Sequence, residues 1–318
     1  MKDCGQTCPG GPRAARLLAW LLLASLAIPG CGLRLPFIPW GRPKPAPDPP
    51  NQVQPVQPII PGEGAAAKGI SWTPLFRGID YAHVESTEPP LQVHALRVDL
   101  RDPDIRFLVS PSNGDRPVDV DGMKTSTFLK TSKCQAAVNA SPYAPVAQEE
   151  GAPKDVAGLS ISIGDKYSIE EPNRGALLIS RDNKAWIAAP PFDTSNAWNG
   201  VGGFELLLRD GKNLGGQGPR HPRTAAGISK DNRYLYLMVI DGRQPGYSEG
   251  VTSAENAAWL ARLGAWSGVN LDGGGSSAMV IDDGHGGAKI LNRPIHANVP
   301  GTERVNANNL GIYARSLE

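Results

Sequence analysis

Val269-Asn270-Leu271-Asp272-Gly273-Gly274-Gly275-Ser276-Ser277-Ala278-Met279 is the stretch on which the reading of this chain turns. An apolar strand pattern runs straight into a carboxylate, three glycines and two hydroxyls. Without Cβ atoms, glycines reach positive φ and let a ligand approach their N–H groups, so Gly273, Gly274, Gly275 and Ser276 can form an anion cradle beside a fixed acid. The same residues also suit a plain tight turn between two buried strands, with Asp272 and Ser276 satisfying only local backbone groups.

The upstream sequence separates these readings. Pro222-Arg223-Thr224-Ala225-Ala226-Gly227 is followed by an apolar strand pattern over 234–240, then by Asp241-Gly242-Arg243-Gln244-Pro245-Gly246, a helix pattern, and the glycine loop. In this order and spacing the R-T-A-x-G, D-G-R-x-x-G and N-L-D-G-G-G-S-S motifs resemble the phosphodiester glycosidase family, over roughly residues 91 to 313. Several motifs in a fixed order are far more specific than one short pattern. Asn292-Arg293-Pro294 and Glu303-Arg304-Val305-Asn306-Ala307-Asn308 agree with the resemblance more weakly. One departure is Val138-Asn139-Ala140-Ser141-Pro142-Tyr143, where the family often has Asn-Gly-x-aromatic; Pro142 confines Ser141 to extended backbone and removes one N–H.

The resemblance implies hydrolysis of a sugar-1-phosphate diester, with Asn139, Thr224, Asn306 and the glycine loop at the substrate. Breaking the bond between sugar carbon and phosphate oxygen passes through an oxocarbenium-like state, which glycosidases ordinarily manage with two carboxylates. Here the leaving phosphate is already acidic, so electrostatic stabilisation outweighs a strong general acid. Asp272 and Asp241 each follow an apolar strand at a glycine and are the expected acidic pair, Asp272 the stronger candidate. Arg223 and Arg243 are expected to grip phosphate, because a guanidinium binds two oxygens at once and keeps its charge. The alternative for these arginines is an ion pair with the same aspartates. His221 is a further acid–base candidate. Ser276 and Ser277 lack a nucleophile elbow and are expected as hydrogen-bond donors. Asp282, Asp283 and His285 form a polar turn rather than a metal site, and neither metal nor other cofactor is expected. A second functional reading is a non-catalytic carbohydrate-binding or exopolysaccharide-assembly lipoprotein using the same pocket.

Lys2, Arg13 and Arg16 precede the apolar run 17–28, which is too short to span a membrane and fits the core of an export signal. Gly30-Cys31 at its end resembles the lipobox of bacterial lipoproteins, with Cys31 as the lipidated first residue of an exported, membrane-anchored protein on the periplasmic or cell-surface face. Removing residues 1–30 leaves 29 basic against 30 acidic residues, so no basic surface is forced and nucleic acid is excluded as an expected partner. Of the four cysteines only Cys134 would remain unmodified, in an apolar run that suits a buried structural thiol.

Ten of the 30 prolines fall between residues 36 and 61, which is incompatible with a packed core and favours an extended spacer. The expected organisation is a signal at 1–30, a lipidated cysteine and linker at 31–70, and one glycosidase domain at 71–318. That domain reads as α+β: a strand-rich mixed sheet with few helices and its site on strand-end glycine loops. Strands are expected at 159–163, 176–180, 185–189, 204–208 and 234–240, with a hairpin between 96–100 and 105–109. The clearest helix is 254–263, with a Thr252/Glu255 capping box and Gly264 as its stop.

Overall fold

The strand Tyr234–Ile240 is apolar at nearly every position instead of alternating, which fits a strand covered on both faces. In the computed structural model, which describes residues 69–146 and 149–317, it lies near the middle of an eight-stranded antiparallel sheet. The order is Thr73–Phe76, Ile79–Thr87, Pro90–Asp99, Tyr234–Ile240, Arg223–Ser229, Ala265–Asn270, Leu206–Arg209 and Lys212–Asn213. The period of two splits each strand between two cores. Leu235, Leu237 and Val239 join Leu96 and Val98 in the larger one, while Tyr236, Met238 and Ile240 join Val93 and Ala95 in the other.

The second core is closed by the helix Ser253–Leu263, through Ala257, Leu260 and Leu263. Its capping box forms as the sequence predicts, with Thr252 and Glu255 bonding each other's backbone N–H, and Gly264 ends it at φ 115°. Gly227 and Gly268 face each other in register beneath it. A Cβ on Gly227 would lie 3.0 Å from Leu260 Cγ, so the missing side chains let the helix sit close to the sheet.

Two five-stranded antiparallel sheets supply the larger core from the opposite face. One is ordered Asp165–Ser168, Ser160–Ser162, Asn199–Gly202, Ala176–Ile179, Ala185–Ala188; the other Ala288–Ile290, Met279–Asp282, Ala136–Asn139, Asn309–Tyr313, Arg106–Val109. Leu177 and Ile179 from the first, with Val138, Leu310 and Ile312 from the second, pack against Leu237 and Val239. A small sheet joins Val120–Asp121, Pro153–Val156 and Tyr143–Ala144. The strand-rich α+β reading holds, with two α-helices among the described residues.

The expected hairpin between 96–100 and 105–109 does not form. Pro90–Asp99 pairs with Ile79–Thr87 and Tyr234–Ile240, whereas Arg106–Val109 pairs with Asn309–Tyr313 in another sheet. Asp102 accepts from the Asp104 N–H, and the turn there redirects the chain between sheets. The helix Thr125–Ser132 has no sequence signature: it is rich in Thr and Ser, and its N-cap Lys124 provides no side-chain bond. It forms because Phe128 and Leu129 bury against Ala137 and Val280. Cys134 lies in the same cluster, where burial pushes its thiol up to about 12. The export signal, Cys31 and the proline-rich segment expected from sequence lie outside the described residues.

Register brings the motifs together. Tyr234–Ile240 and Ala265–Asn270 both run antiparallel to Arg223–Ser229, which lies between them, with Arg223 opposite Ile240 and Ala225 opposite Asn270. Asp241 and Asp272 therefore emerge at the same edge of the sheet at which the Arg223 strand begins.

Candidate active site

The chain from 271 to 278 crosses from the main sheet to the sheet containing Met279–Asp282, and backbone bonds pin it at three points. The N–H groups of Leu271, Asp272 and Gly274 donate to the carbonyls of Thr224, Ala140 and Pro222 at 2.9, 2.8 and 2.9 Å. Beneath it Asn139 acts as a three-way staple. Its Nδ2 donates to the Asp272 carbonyl at 2.6 Å, and its Oδ1 accepts from Thr224 Oγ1 at 2.8 Å and from the Ala278 N–H at 3.1 Å. Asn139 and Thr224 have no exposed surface at all, so both brace the loop from below and neither is open to a ligand. Asn306 is buried likewise, and its Nδ2 donates to Thr125 Oγ1 at 3.2 Å and to the Ser276 carbonyl at 3.5 Å. Contact with substrate, expected of these three from the resemblance, gives way to support of the loop.

The Asp272 side chain is half-buried. Burial pushes its carboxyl up to about 6, although the Ser276 hydroxyl, Arg304, the Gly273 N–H and Arg174 all favour the charged form. Tyr143, also beside Ser276 and Arg304, donates its hydroxyl to the Val305 carbonyl at 2.9 Å. Asp272 thus sits where desolvation and cations oppose each other, which keeps a carboxylate near its titration point at neutral pH.

Asp241 is placed differently. It follows its strand as expected but is 1% exposed, with both oxygens engaged. Oδ1 accepts from Asn292 Nδ2 at 2.8 Å; Oδ2 accepts from the Arg293 N–H at 2.9 Å and the Tyr247 hydroxyl at 3.3 Å. The same Asn292 Nδ2 donates to the Ser277 carbonyl at 3.1 Å, so Asp241 reaches the glycine loop through one amide. The two acids expected as a pair therefore stand in different surroundings: Asp241 is enclosed by Asn292, the Arg293 N–H and Tyr247, while Asp272 is partly open. The carboxylate near the arginines is Glu205, half-buried, accepting from Ser253 Oγ and from Asn270 Nδ2, and facing Arg223 electrostatically.

Cations gather on both sides of the loop. Arg243 adopts φ 58°, a left-handed conformation that costs a non-glycine residue about 1 kcal/mol or more. It places the guanidinium so that a Cβ on Gly274 would lie 3.3 Å from both terminal nitrogens. Arg243 Nη2 also donates to His221 Nδ1 at 3.2 Å. Arg223, half-buried, donates Nε to the Val251 carbonyl at 3.2 Å. Neither arginine forms an ion pair with Asp241 or Asp272, which removes the structural alternative raised by the sequence. Burial, then Arg243 and Arg223, hold His221 below the usual imidazole range. Across the loop, a Cβ on Gly275 would overlap the Arg304 guanidinium. Asp283 accepts from the His285 and Gly287 N–H groups, as expected for a turn.

A model of the phosphodiester glycosidase family matches residues 132–313, more than half of the chain and the whole of the glycine loop with Asn139, Thr224, Asp241 and Asn306 beneath it. The chain belongs to the phosphodiester glycosidase family. No curated protein sequence matches it. Among solved structures, this chain is similar to the catalytic domain of the zebrafish N-acetylglucosamine-1-phosphodiester alpha-N-acetylglucosaminidase, auto-inhibited by its pro-peptide. That likeness has TM-score 0.56 and 19% identity over 80% of this chain and 86% of that one. It is also similar to a hypothetical protein from Synechocystis, with TM-score 0.58 and 16% identity over 79% of this chain and 65% of the other, so the chain spans about two thirds of that protein's length. A protein of Burkholderia pseudomallei K96243 described as exported has TM-score 0.52 and 16% identity over 70% of this chain and 74% of its own. At these identities the structural likenesses show a shared fold.

The local motifs assigned roles to Asp272, Arg223, Arg243 and the glycines. Arg304 lay inside the weaker Glu303–Asn308 motif and Tyr143 at the end of the Asn139 segment, without a role given to either; Glu205 and His296 carried no motif signal, because each reaches the site from a separate segment through tertiary packing alone.

Proposed function

We propose that this member of the phosphodiester glycosidase family hydrolyses a glycosyl phosphodiester at the bond between the sugar carbon and phosphate oxygen. The observation that carries the reading is a half-buried carboxylate, Asp272, held beside the Gly273 N–H, the Ser276 hydroxyl and Arg304, with the Arg243 guanidinium against the adjoining Gly274. Such a site stabilises an anionic leaving group and a cationic sugar at once. As the C–O bond breaks, its electron pair stays on the phosphate oxygen and a phosphomonoester leaves. Water then supplies hydroxide to the sugar carbon and one proton to solvent. Asp272, ionised, stabilises the developing positive charge at the sugar carbon. Arg223 and Arg243 hold the phosphate oxygens, and Glu205 holds Arg223 in place. Asp241, through Asn292, fixes the loop that presents Asp272.

The substrate is a sugar-1-phosphate diester of an envelope or extracellular glycan. Several observations support that finer reading: the expected export signal, Gly30-Cys31 at its end, and the likeness to a protein described as exported. Among the described residues no helix is long and apolar enough to cross a membrane. The anchor proposed is lipid at Cys31. The organisation proposed is a leader at 1–30, a lipidated cysteine and spacer at 31–70, and the glycosidase domain at 71–318. The rival reading is a carbohydrate-binding lipoprotein without turnover. A panel of hexose-1-phosphate methyl diesters incubated with the purified protein separates them: release of free hexose with a phosphomonoester supports hydrolysis, and saturable binding without release defeats it.

A further inference from the structure

The backbone of Asp241 is held on both sides. Its N–H donates to the Gln92 carbonyl at 3.0 Å, and its carbonyl accepts from Ser248 Oγ at 2.6 Å. The main chain is therefore fixed, and what is left to set is the rotation of the carboxylate. Asn292 couples that carboxylate to the glycine loop and has one satisfied orientation. Its Oδ1 accepts from the Met279 N–H at 2.9 Å, so its Nδ2 hydrogens go to Asp241 Oδ1 at 2.8 Å and to the Ser277 carbonyl at 3.1 Å. A rotation of the Asp241 carboxylate is passed to the loop through this amide.

Beside Asp241 Oδ2 stands His94, a residue outside all of the motifs. It lies on Pro90–Asp99 opposite Val239, is 3% exposed, and has its Nε2 3.7 Å from Asp241 Oδ2. That separation is longer than a hydrogen bond, and Nε2 is buried with no other acceptor. The other ring nitrogen, Nδ1, lies 2.7 Å from the Tyr81 hydroxyl. Burial, then Asp241 and Tyr247, push the Tyr81 phenol up to about 12, so it keeps its proton and can donate to Nδ1. The opposite tautomer would aim the Nε2 lone pair at a carboxylate across a closed, low-dielectric interior, where that repulsion is strong. The hydrogen therefore sits on Nε2 and points at Asp241. The ring is held in this attitude by His83, its cross-strand neighbour, which stacks on it at 4.5 Å with 7° between the planes.

We infer that His94 is a positioning residue for the reaction. Its Nε2–H, set by Tyr81, turns the Asp241 carboxylate toward Asn292, and Asn292 holds the Ser277 carbonyl and with it the loop that presents Asp272. This rests on the hydrolase reading above and deepens it.

The full-chain protein is assayed on a hexose-1-phosphate methyl diester that the wild type hydrolyses, and the melting temperature of each variant is measured. His94→Leu removes the N–H and should lower kcat about tenfold with KM within about twofold, because the loop is misaligned while the substrate still binds. Glutamine can present an amide N–H near the place of Nε2, so His94→Gln should recover kcat to within about threefold of wild type. Tyr81→Phe, at a half-buried position, should cost about threefold in kcat at an unchanged melting temperature. Groups acting along one line are not additive, so adding His94→Leu to Asn292→Leu should lower kcat no further than Asn292→Leu alone. A histidine that only fills the core predicts otherwise: a lower melting temperature with kcat kept in His94→Leu, or losses that multiply with those of Asn292→Leu. Either result, or His94→Gln as damaged as His94→Leu, overturns the positioning role and leaves the hydrolase reading intact. If His94→Leu does not fold, Tyr81→Phe decides, and wild-type kcat in that variant overturns the role. Wild-type protein that turns over no hexose-1-phosphate methyl diester removes both.

Discussion

Asp272 concentrates the conflict on which the site depends. Its folded value of about 6 lies above the ordinary 3.8 because burial outweighs Ser276 and Arg304. Between these values the folded chain binds the proton more tightly than the unfolded chain, so ionisation costs stability that is absent below pH 4 and fully felt above pH 6. Two units correspond to about 3 kcal/mol before solvent screening, which half-exposure reduces. Asp272→Asn cannot ionise. It should melt a few degrees above the wild type at pH 7.5, with the gap closing by pH 4, in scanning calorimetry across that range. Turnover should nonetheless fall at least about 10²-fold, as for loss of one well-placed electrostatic group. A variant with half the wild-type rate would end the assignment. Because the charged form stabilises the cationic sugar, wild-type kcat/KM should decline as pH falls through about 6; a flat profile from pH 5 to 7.5 would contradict this. Asp272 and Arg243 were legible in the sequence because each sits in a short motif whose glycines carry backbone requirements. Arg304 was legible only as a member of a weaker motif, and Glu205 and His296 were not legible at all, since their convergence is a property of three dimensions.

At the scale of elements, the loop from 271 to 278 is held from below by amides and from the sides by guanidiniums, and each support has its own signature. Gly275→Ala places a Cβ on the Arg304 guanidinium, which must swing away. Turnover of the glycosyl phosphodiester should fall about tenfold, since Arg304 acts on Asp272, with little loss of melting temperature, because a flexible side-chain end gives way more easily than backbone. Asn139→Ala removes three bonds and leaves the Ala278 N–H and Asp272 carbonyl unsatisfied in a closed interior. Each orphaned group costs about 1–3 kcal/mol, so denaturant midpoints should drop sharply; an unchanged midpoint would show that Asn139 is not the staple described. The helix Ser253–Leu263 was readable because caps and periodicity agree with its packing. The helix Thr125–Ser132 was not, because Phe128 and Leu129 form it against a sheet whose strands are remote in sequence. The misplaced hairpin has the same origin: alternation identifies strands but not their partners, and the Asp102 turn sends Arg106–Val109 to another sheet.

For the whole molecule, Thr73–Phe76 is the first strand among the described residues, and the sequence makes the proline-rich segment an extended spacer. Deleting residues 36–61 should leave melting temperature and turnover of the purified protein unchanged; a melting temperature lower by several degrees would show that the segment packs on the domain. Cys31→Ser should abolish metabolic lipid labelling and shift the protein out of the membrane fraction, and persistent labelling would remove the anchor. Charge balance and the strand-rich class were evident from composition and patterning, whereas the stacking of two smaller sheets on one face of a larger one was not, since it depends on which apolar faces meet. What the assembled molecule does is tested most directly by running the reaction on a hexose-1-phosphate methyl diester in water enriched in oxygen-18 and weighing both products. Cleavage at the sugar carbon puts the heavy oxygen in the released hexose and none in methyl phosphate. Heavy oxygen in the phosphate, or substrate bound and recovered intact, would contradict the glycosidase account.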